Sequence, residues 1–400
     1  MQNEGRAEAR PFEMKIYVVA GEASGDEHGA ALMTALRDLQ PDIAFHGRGG
    51  PRMKAIAGEA FNSWIDAAAV VGLWEVVKRY PYFRKQFEKT LREIAAINPD
   101  AVVLIDYPGF NLRLARALRR RTRDARIIYY ISPQVWAWNR GRITQMARHL
   151  DLMLCIFPFE AELYNASGLR TIFVGHPMIE NLEKRRTGEA RDPNLVGLFP
   201  GSRAREVKKI FPVMLEAAAH IVAQRRSTQF EIAAASPFLA RQIEQRLAAS
   251  PIRDRFRVVT GNSPGTMQRA IAGMVASGTA TLESAYFGMP FVLVYKVSWP
   301  TYFAARLVMR TRFLGMPNVL ADREIVPEFL QHEARPKPIA NAVLALMNDP
   351  ARRQQMNAEF GAIIDKLGEA GASERAARAV LEELGSLATD EHGSPRMGRD

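Results

Sequence analysis

Short β-branched and aliphatic runs alternate along this chain with longer stretches whose apolar positions recur at helical spacing. The first runs are Lys15–Val19, Ala101–Ile105, Arg126–Ile131, Leu152–Ile156 and Thr171–Val174. A second series follows at Leu195–Phe199, Phe230–Ala234, Phe256–Val259, Gly273–Ala276 and Phe291–Tyr295. Strands separated by helical lengths predict parallel sheets built from βαβ units. The polar stretch 183–194, with Gly188 and Pro193, reads as a linker between two domains, 14–182 and 195–365. The predicted fold class is α/β, with two Rossmann-like doubly wound halves facing a cleft at the carboxyl ends of their strands. Apolar residues at helical spacing from Ser373 to Leu384 predict a last helix within 366–385. The polar ends, 1–13 and 386–400, are expected to be disordered.

Composition narrows the class. A length of 400 residues suits two domains, and 48% apolar with 24% charged residues excludes a disordered, collagen-like or disulfide-scaffold chain. Cys155 stands alone, so no internal disulfide forms and a reducing compartment is expected. No apolar run approaches the ~18 residues that span a bilayer. The opening MQNEGRAEARPFEMK carries acids and lacks the apolar centre of a signal peptide. A soluble or peripheral, cytoplasmic protein is expected. The net charge of +11 points to an anionic partner: nucleic acid, anionic membrane or phosphorylated substrate. Zinc-finger spacing, RNP motifs and a basic zipper are missing, so nucleic acid is not the expected partner. Part of the excess lies in Arg113, Arg116, Arg119, Arg120, Arg121 and Arg123, which form either a solvated helix face or an anion-attracting one.

Four loops carry candidate chemistry. In AVVLIDYPGFN a buried strand ends in Asp106, followed by a Pro108–Gly109 turn. A carboxylate at that sheet edge faces the ligand crevice and suits a general base; a turn or helix-capping role is the alternative. GEASGD also joins a strand to a helix, without the GxGxxG spacing of dinucleotide sites. Its Glu22 and Asp26 have the wrong sign for a pyrophosphate and suit sugar hydroxyls, while Ser24 and Asp26 also suit capping. His28 is a further proton-transfer candidate or a structural histidine. In the second half, LFPGSRAREV sets Gly201, Ser202 and Arg203 at a helix N-terminus, a pocket for anions. ASGTATLE repeats the scheme with Ser277, Gly278 and Thr279, and Glu283 shares the face of Thr279 and suits a ribose diol. The inference is a nucleoside diphosphate in the second half and a hydroxyl-bearing acceptor against the first.

Val70, Val71, Leu73, Trp74, Val76 and Val77 crowd one segment, followed within 78–85 by Lys78, Arg79, Tyr80, Tyr82, Arg84 and Lys85. That composition fits either an interfacial membrane contact or a core helix. Trp136 and Trp138, beside Arg140 and Arg142, fit sugar stacking or core packing equally.

Taken in order, GEASGD, IDYPGFN, YISPQVWAW, PFE, GHP, PGSR, ASGTATLE and the Pro317–Asn318 pair resemble lipid-A-disaccharide synthases from Met14 to about Val380. The resemblance implies a GT-B glycosyltransferase with its acceptor side in the first domain and its UDP-sugar side in the second. The implied substrates are UDP-2,3-diacylglucosamine and 2,3-diacylglucosamine 1-phosphate, joined with inversion into a β-1,6-linked disaccharide with release of UDP. The implied location is the anionic cytoplasmic face of the inner membrane, with Val70 to Val77 as the contact. No metal or cofactor is implied. Essential family positions fall on Asp106, Arg203 and Asn318, and an acidic one on Glu22. The resemblance also allows a homodimer that exchanges C-terminal helices. Two other readings compete: a related epimerase or transferase with a soluble acceptor, and a non-catalytic membrane-associated nucleotide binder.

Overall fold

A computed structural model describes residues 14–59, 61–65, 80–121, 125–138, 141–299, 302 and 311–390. The Val70–Val77 segment therefore lies outside the described residues. The chain divides into two compact units, one of residues up to 135, 139–177 and 370 onward, the other of 136–138 and 178–369.

The first unit alternates strands and helices in the order β1 (Lys15–Ala20), α1 (Ala23–Leu39), β2 (Ala44–Gly49), α2 (Pro51–Ala57), β3 (Phe61–Ser63), α3 (Tyr80–Ile97), β4 (Ala101–Ile105), α4 (Pro108–Arg121) and β5 (Arg126–Tyr130). It continues through α5 (Gly141–Ala147), β6 (Leu152–Cys155) and β7 (Thr171–Phe173). The strands form one sheet in the order β3-β2-β1-β4-β5-β6-β7, parallel throughout. Every residue of β4 is buried, as a strand covered on both faces requires. Alternate residues feed two cores: Val103 and Ile105 pack with α1, while Val102 and Leu104 pack with α4. The last helix, α9 in the numbering used below (Ala372–Asp390), belongs to this unit: its Ala376, Ala377 and Val380 join the Val103 core. It continues to Asp390, past the expected end at 385.

The second unit contains β8 (Asp192–Phe199), α6 (Ala204–Gln224), β9 (Gln229–Ala234), β10 (Phe256–Thr260), β11 (Ala270–Val275), α7 (Thr279–Tyr286), β12 (Phe291–Tyr295), α8 (Met316–Ala321) and β13 (Glu328–Leu330). Its parallel sheet runs β10-β9-β8-β11-β12-β13. The unit begins at Met178, ahead of the linker expected at 183–194, because the intervening turn of helix buries Leu182 in the second core.

Both sheets reverse strand order once, between β1 and β4 in one unit and between β8 and β11 in the other. Such switch points are where open α/β sheets bind ligands. The four loops singled out in the sequence leave the carboxyl ends of these four strands.

Candidate active site

In the first unit Ala20 and Ile105 pair in register, so Gly21 and Asp106 leave adjacent strand ends. Asp106 and Tyr107 both take left-handed backbone, at φ 44° and 50°, which few non-glycine residues adopt. The turn is held by the Asp106 N–H donating to Tyr130 at 3.0 Å, and by the Tyr129 hydroxyl and Asn111 amide donating to the Asp106 carbonyl at 2.5 and 2.8 Å. With its backbone pinned, the side chain is aimed by the fold. Burial, then the Glu22 carboxylate, push the Asp106 carboxyl up to about 6, against the Tyr107 backbone N–H that favours its charge. A carboxylate of that basicity is ionised near neutral pH yet accepts a proton readily.

Glu22 is exposed at the N-terminus of α1, and Ser24 is exposed in its first turn. Asp26 faces inward. Its carboxylate accepts backbone N–H bonds from Gly50 at 2.8 Å and from Arg52 and Met53 at 3.0 Å. The capping alternative thus describes Asp26, although the helix it caps is α2 rather than its own. His28 is half-buried, and burial lowers its pKa. It lies close enough to depress His176, which burial first and His28 second bring down to about 3. Both rings are neutral at physiological pH. His176 sits in the GHP motif, but a motif residue gives no sign of which side chain it faces across the fold. Trp64 was also invisible in sequence: its indole N–H donates to the Ala20 carbonyl at 2.7 Å, and it is buried against Tyr107 and Phe110.

In the second unit, Gly201 turns at φ 111° ahead of α6. The backbone N–H groups of Ser202 and Arg203, at 3.1 and 3.3 Å, donate to the Glu206 carboxylate. That carboxylate also pairs with the Arg203 guanidinium at 3.1 Å, while Arg203 remains exposed. The N–H groups and the guanidinium at the start of α6, expected to form an anion pocket, thus hold the chain's own carboxylate. Glu206 was readable as the third helical residue of a capping box, although Arg203 cannot supply the accepting half of one.

Gly278 takes φ 142° before α7, and nothing lies within 4 Å of where its Cβ would stand. Burial raises the pKa of Glu283, opposed by Arg185 and by a hydrogen bond from Thr279 on the same helical face. Ser277 donates to the Leu314 carbonyl at 3.4 Å.

Asn318, expected to take part in catalysis, is wholly buried. Its amide donates to the Val326 carbonyl and to Glu328, both at 2.8 Å, and its oxygen accepts from the Ile325 and Val326 N–H groups at 2.7 and 2.9 Å. Glu328 in turn accepts from the N–H groups of Leu314 and Gly315, both at 2.9 Å. Through Glu328, Asn318 is linked to Leu314, whose carbonyl accepts from Ser277. Among the described residues no metal-binding group of His, Cys, Asp or Glu is found.

A family model described as lipid-A-disaccharide synthetase matches residues 16–382. The lipid-A-disaccharide synthase of Myxococcus xanthus is 39% identical over 381 residues, covering 92% of this chain and 97% of that protein. That of Geobacter sulfurreducens is 39% identical over 382 residues, covering 93% and 97%. Among solved structures, Staphylococcus aureus MnaA with UDP aligns at a TM-score of 0.64 and 12% identity, over 96% of this chain and 100% of that one. The calicheamicin glycosyltransferase CalG4 aligns at 0.55 and 15% identity, over 94% and 99%. At such identities these two structures speak for the fold alone.

Proposed function

The chain belongs to the lipid-A-disaccharide synthase family, and from that premise we propose the particular reaction it carries out. It is a glycosyltransferase of lipid A disaccharide formation. The proposed donor is UDP-2,3-diacylglucosamine and the proposed acceptor is 2,3-diacylglucosamine 1-phosphate. The acceptor 6-hydroxyl attacks the anomeric carbon opposite the leaving UDP. One C–O bond forms as the bond to the diphosphate breaks, the proton passes to Asp106, and configuration inverts into a β-1,6 linkage.

The observation that carries this reading is Asp106, held on a rigid strand end with its carboxyl raised to about 6. Its affinity for a proton is what a hydroxyl nucleophile requires of its base. Glu22 sustains that basicity through its charge. Ser24 and His28 are proposed to border the acceptor, with Asp26 supporting the loop from below. In the second unit the proposed donor contacts are Gly201, Ser202, Arg203, Ser277, Gly278, Thr279 and Glu283. Arg203, exposed at the surface, turns in this proposal from Glu206 to the diphosphate, where its charge stabilises the departing oxygen.

Peripheral attachment to the anionic cytoplasmic face of the inner membrane, through Val70, Val71, Leu73, Trp74, Val76 and Val77, completes the proposal. No helix among the described residues is long and apolar enough to cross a membrane. The direct test supplies both acylated substrates in detergent micelles and follows UDP release and disaccharide formation. UDP release with a non-acylated acceptor alone would favour the soluble-acceptor reading instead.

A further inference from the structure

A groove of about 160 Å³ lies between α4 and α5 of the first unit. A single water needs only about 15 Å³ of such space. Its lining includes Pro108 and Gly109, shortly after Asp106 in the chain, together with Arg113, Arg116 and His149. Gly109, Arg113 and Arg116 are spaced so that they share one face of α4. The floor is apolar, with Met146 and Leu150 buried beneath the opening.

Charge in the groove is one-sided. Further along α4, Arg119 is engaged with Asp151 at 2.5 Å. Arg113 and Arg116 are exposed and, among the described residues, pair with no carboxylate. The Nδ1 atom of His149 is buried without a hydrogen-bond partner. Arg116, Arg119 and Arg120 all act on His149 as neighbouring cations. Cations over an apolar floor match the join between a phosphate and an acylated body, whereas a free phosphate gains nothing from the floor.

We propose that this groove holds the phosphate of an acylated sugar phosphate, the acceptor, with Arg113 and Arg116 as its cationic ligands. The assignment rests on the acylated-acceptor reading above and names the residues that recognise the acceptor's charged end.

The test is equilibrium binding of diacylglucosamine 1-phosphate in neutral detergent to the full chain and to Arg113→Ala/Arg116→Ala. Both residues are exposed, so an unchanged melting temperature is expected. The variant should bind at least about tenfold more weakly, as the loss of charge-assisted bonds implies. Diacylglucosamine lacking the phosphate should bind both proteins alike, and Arg113→Lys/Arg116→Lys should recover part of the loss. In turnover the acceptor KM should rise while the donor KM stays fixed. Equal binding of the phosphorylated acceptor by wild type and variant would overturn the proposal. Unchanged acceptor binding with weaker sedimentation on phosphatidylglycerol vesicles would also overturn it, assigning the groove to bilayer phosphate. Because binding is read without turnover, a wild type that forms no disaccharide would defeat the proposed reaction without deciding the groove.

Discussion

The ring of Tyr107 lies over Gly21 so closely that a Cβ on the glycine would fall 2.2 Å from the ring. The contact joins the two loops that leave β1 and β4, and Tyr107 is backed by Trp64 and Phe110 at ring separations of 6.2 Å each. Gly21→Ala should therefore displace the two loops, one carrying Glu22 and the other Asp106, costing about 1–3 kcal/mol of stability as overpacking does. Turnover should fall by more than the melting shift explains, because the base moves with its loop. Calorimetry beside an activity assay checks this, and a variant with wild-type melting and turnover would contradict the contact.

Asp106→Asn should separate activity from stability. Asparagine tolerates the left-handed backbone at this position but takes no proton, so turnover should fall by about 10²–10⁴ with little change in substrate binding. The folded carboxyl titrates near 6 against 3.8 in the unfolded chain, so its charge destabilises the fold above both values. Removing that charge should stabilise the protein by up to roughly 3 kcal/mol at neutral pH. The gain should fade as the pH falls through 6 towards 3.8. Denaturant midpoints at neutral and acidic pH measure it, and a variant less stable than wild type at neutral pH would argue against a strained charge.

The fold was largely legible because a parallel strand buried on both faces is a continuous apolar run, as AVVLI and FVLVY illustrate. Three strands escaped notice. In β2, AFHGRG, the pattern is broken by His46, Arg48 and two glycines; Arg48 is buried only because Glu93 pairs with it at 2.8 Å. That partner lies on α3, so no local pattern announces the burial. The strands β3 and β13 are too short for a periodicity to show. The candidate site was legible where a loop follows a strand directly, as at Asp106 and Arg203. It was not legible where a role depends on a distant partner: Asp26 on α2, Asn318 on Glu328, His176 beside His28.

Asn318→Ala should behave as a structural lesion. It removes bonds to Ile325, Val326 and Glu328, leaving buried groups unpaired at about 1–3 kcal/mol each before relaxation. Asn318→Asp should do no better, since its second oxygen would face the Glu328 carboxylate that the amide now serves. In both variants a lower melting temperature should accompany loss of donor handling, with acceptor binding by the first unit intact. Wild-type melting in a variant that has lost activity would return Asn318 to direct catalysis.

The acidic limb of the pH–rate profile tests the relation between Glu22 and Asp106. A base must be ionised to act, so kcat/KM should rise with pH through about 6, where the Asp106 carboxyl titrates. Two causes hold it there, burial foremost and the Glu22 charge second. Glu22→Gln removes only the second, so the limb should move to lower pH without reaching the 3.8 of a free side chain. Relative to its own plateau, the variant should be faster than wild type at pH about 5, where more of its Asp106 is ionised. The plateau itself should fall modestly, because a less basic carboxylate takes the proton with less driving force. Glu22 is exposed, so added salt should screen its charge and shift the wild-type limb in the same direction, with little further effect on the variant. A limb that stays in place in Glu22→Gln and in salt would leave burial as the whole cause. A limb that disappears in Asp106→Asn with turnover retained would remove Asp106 as the base.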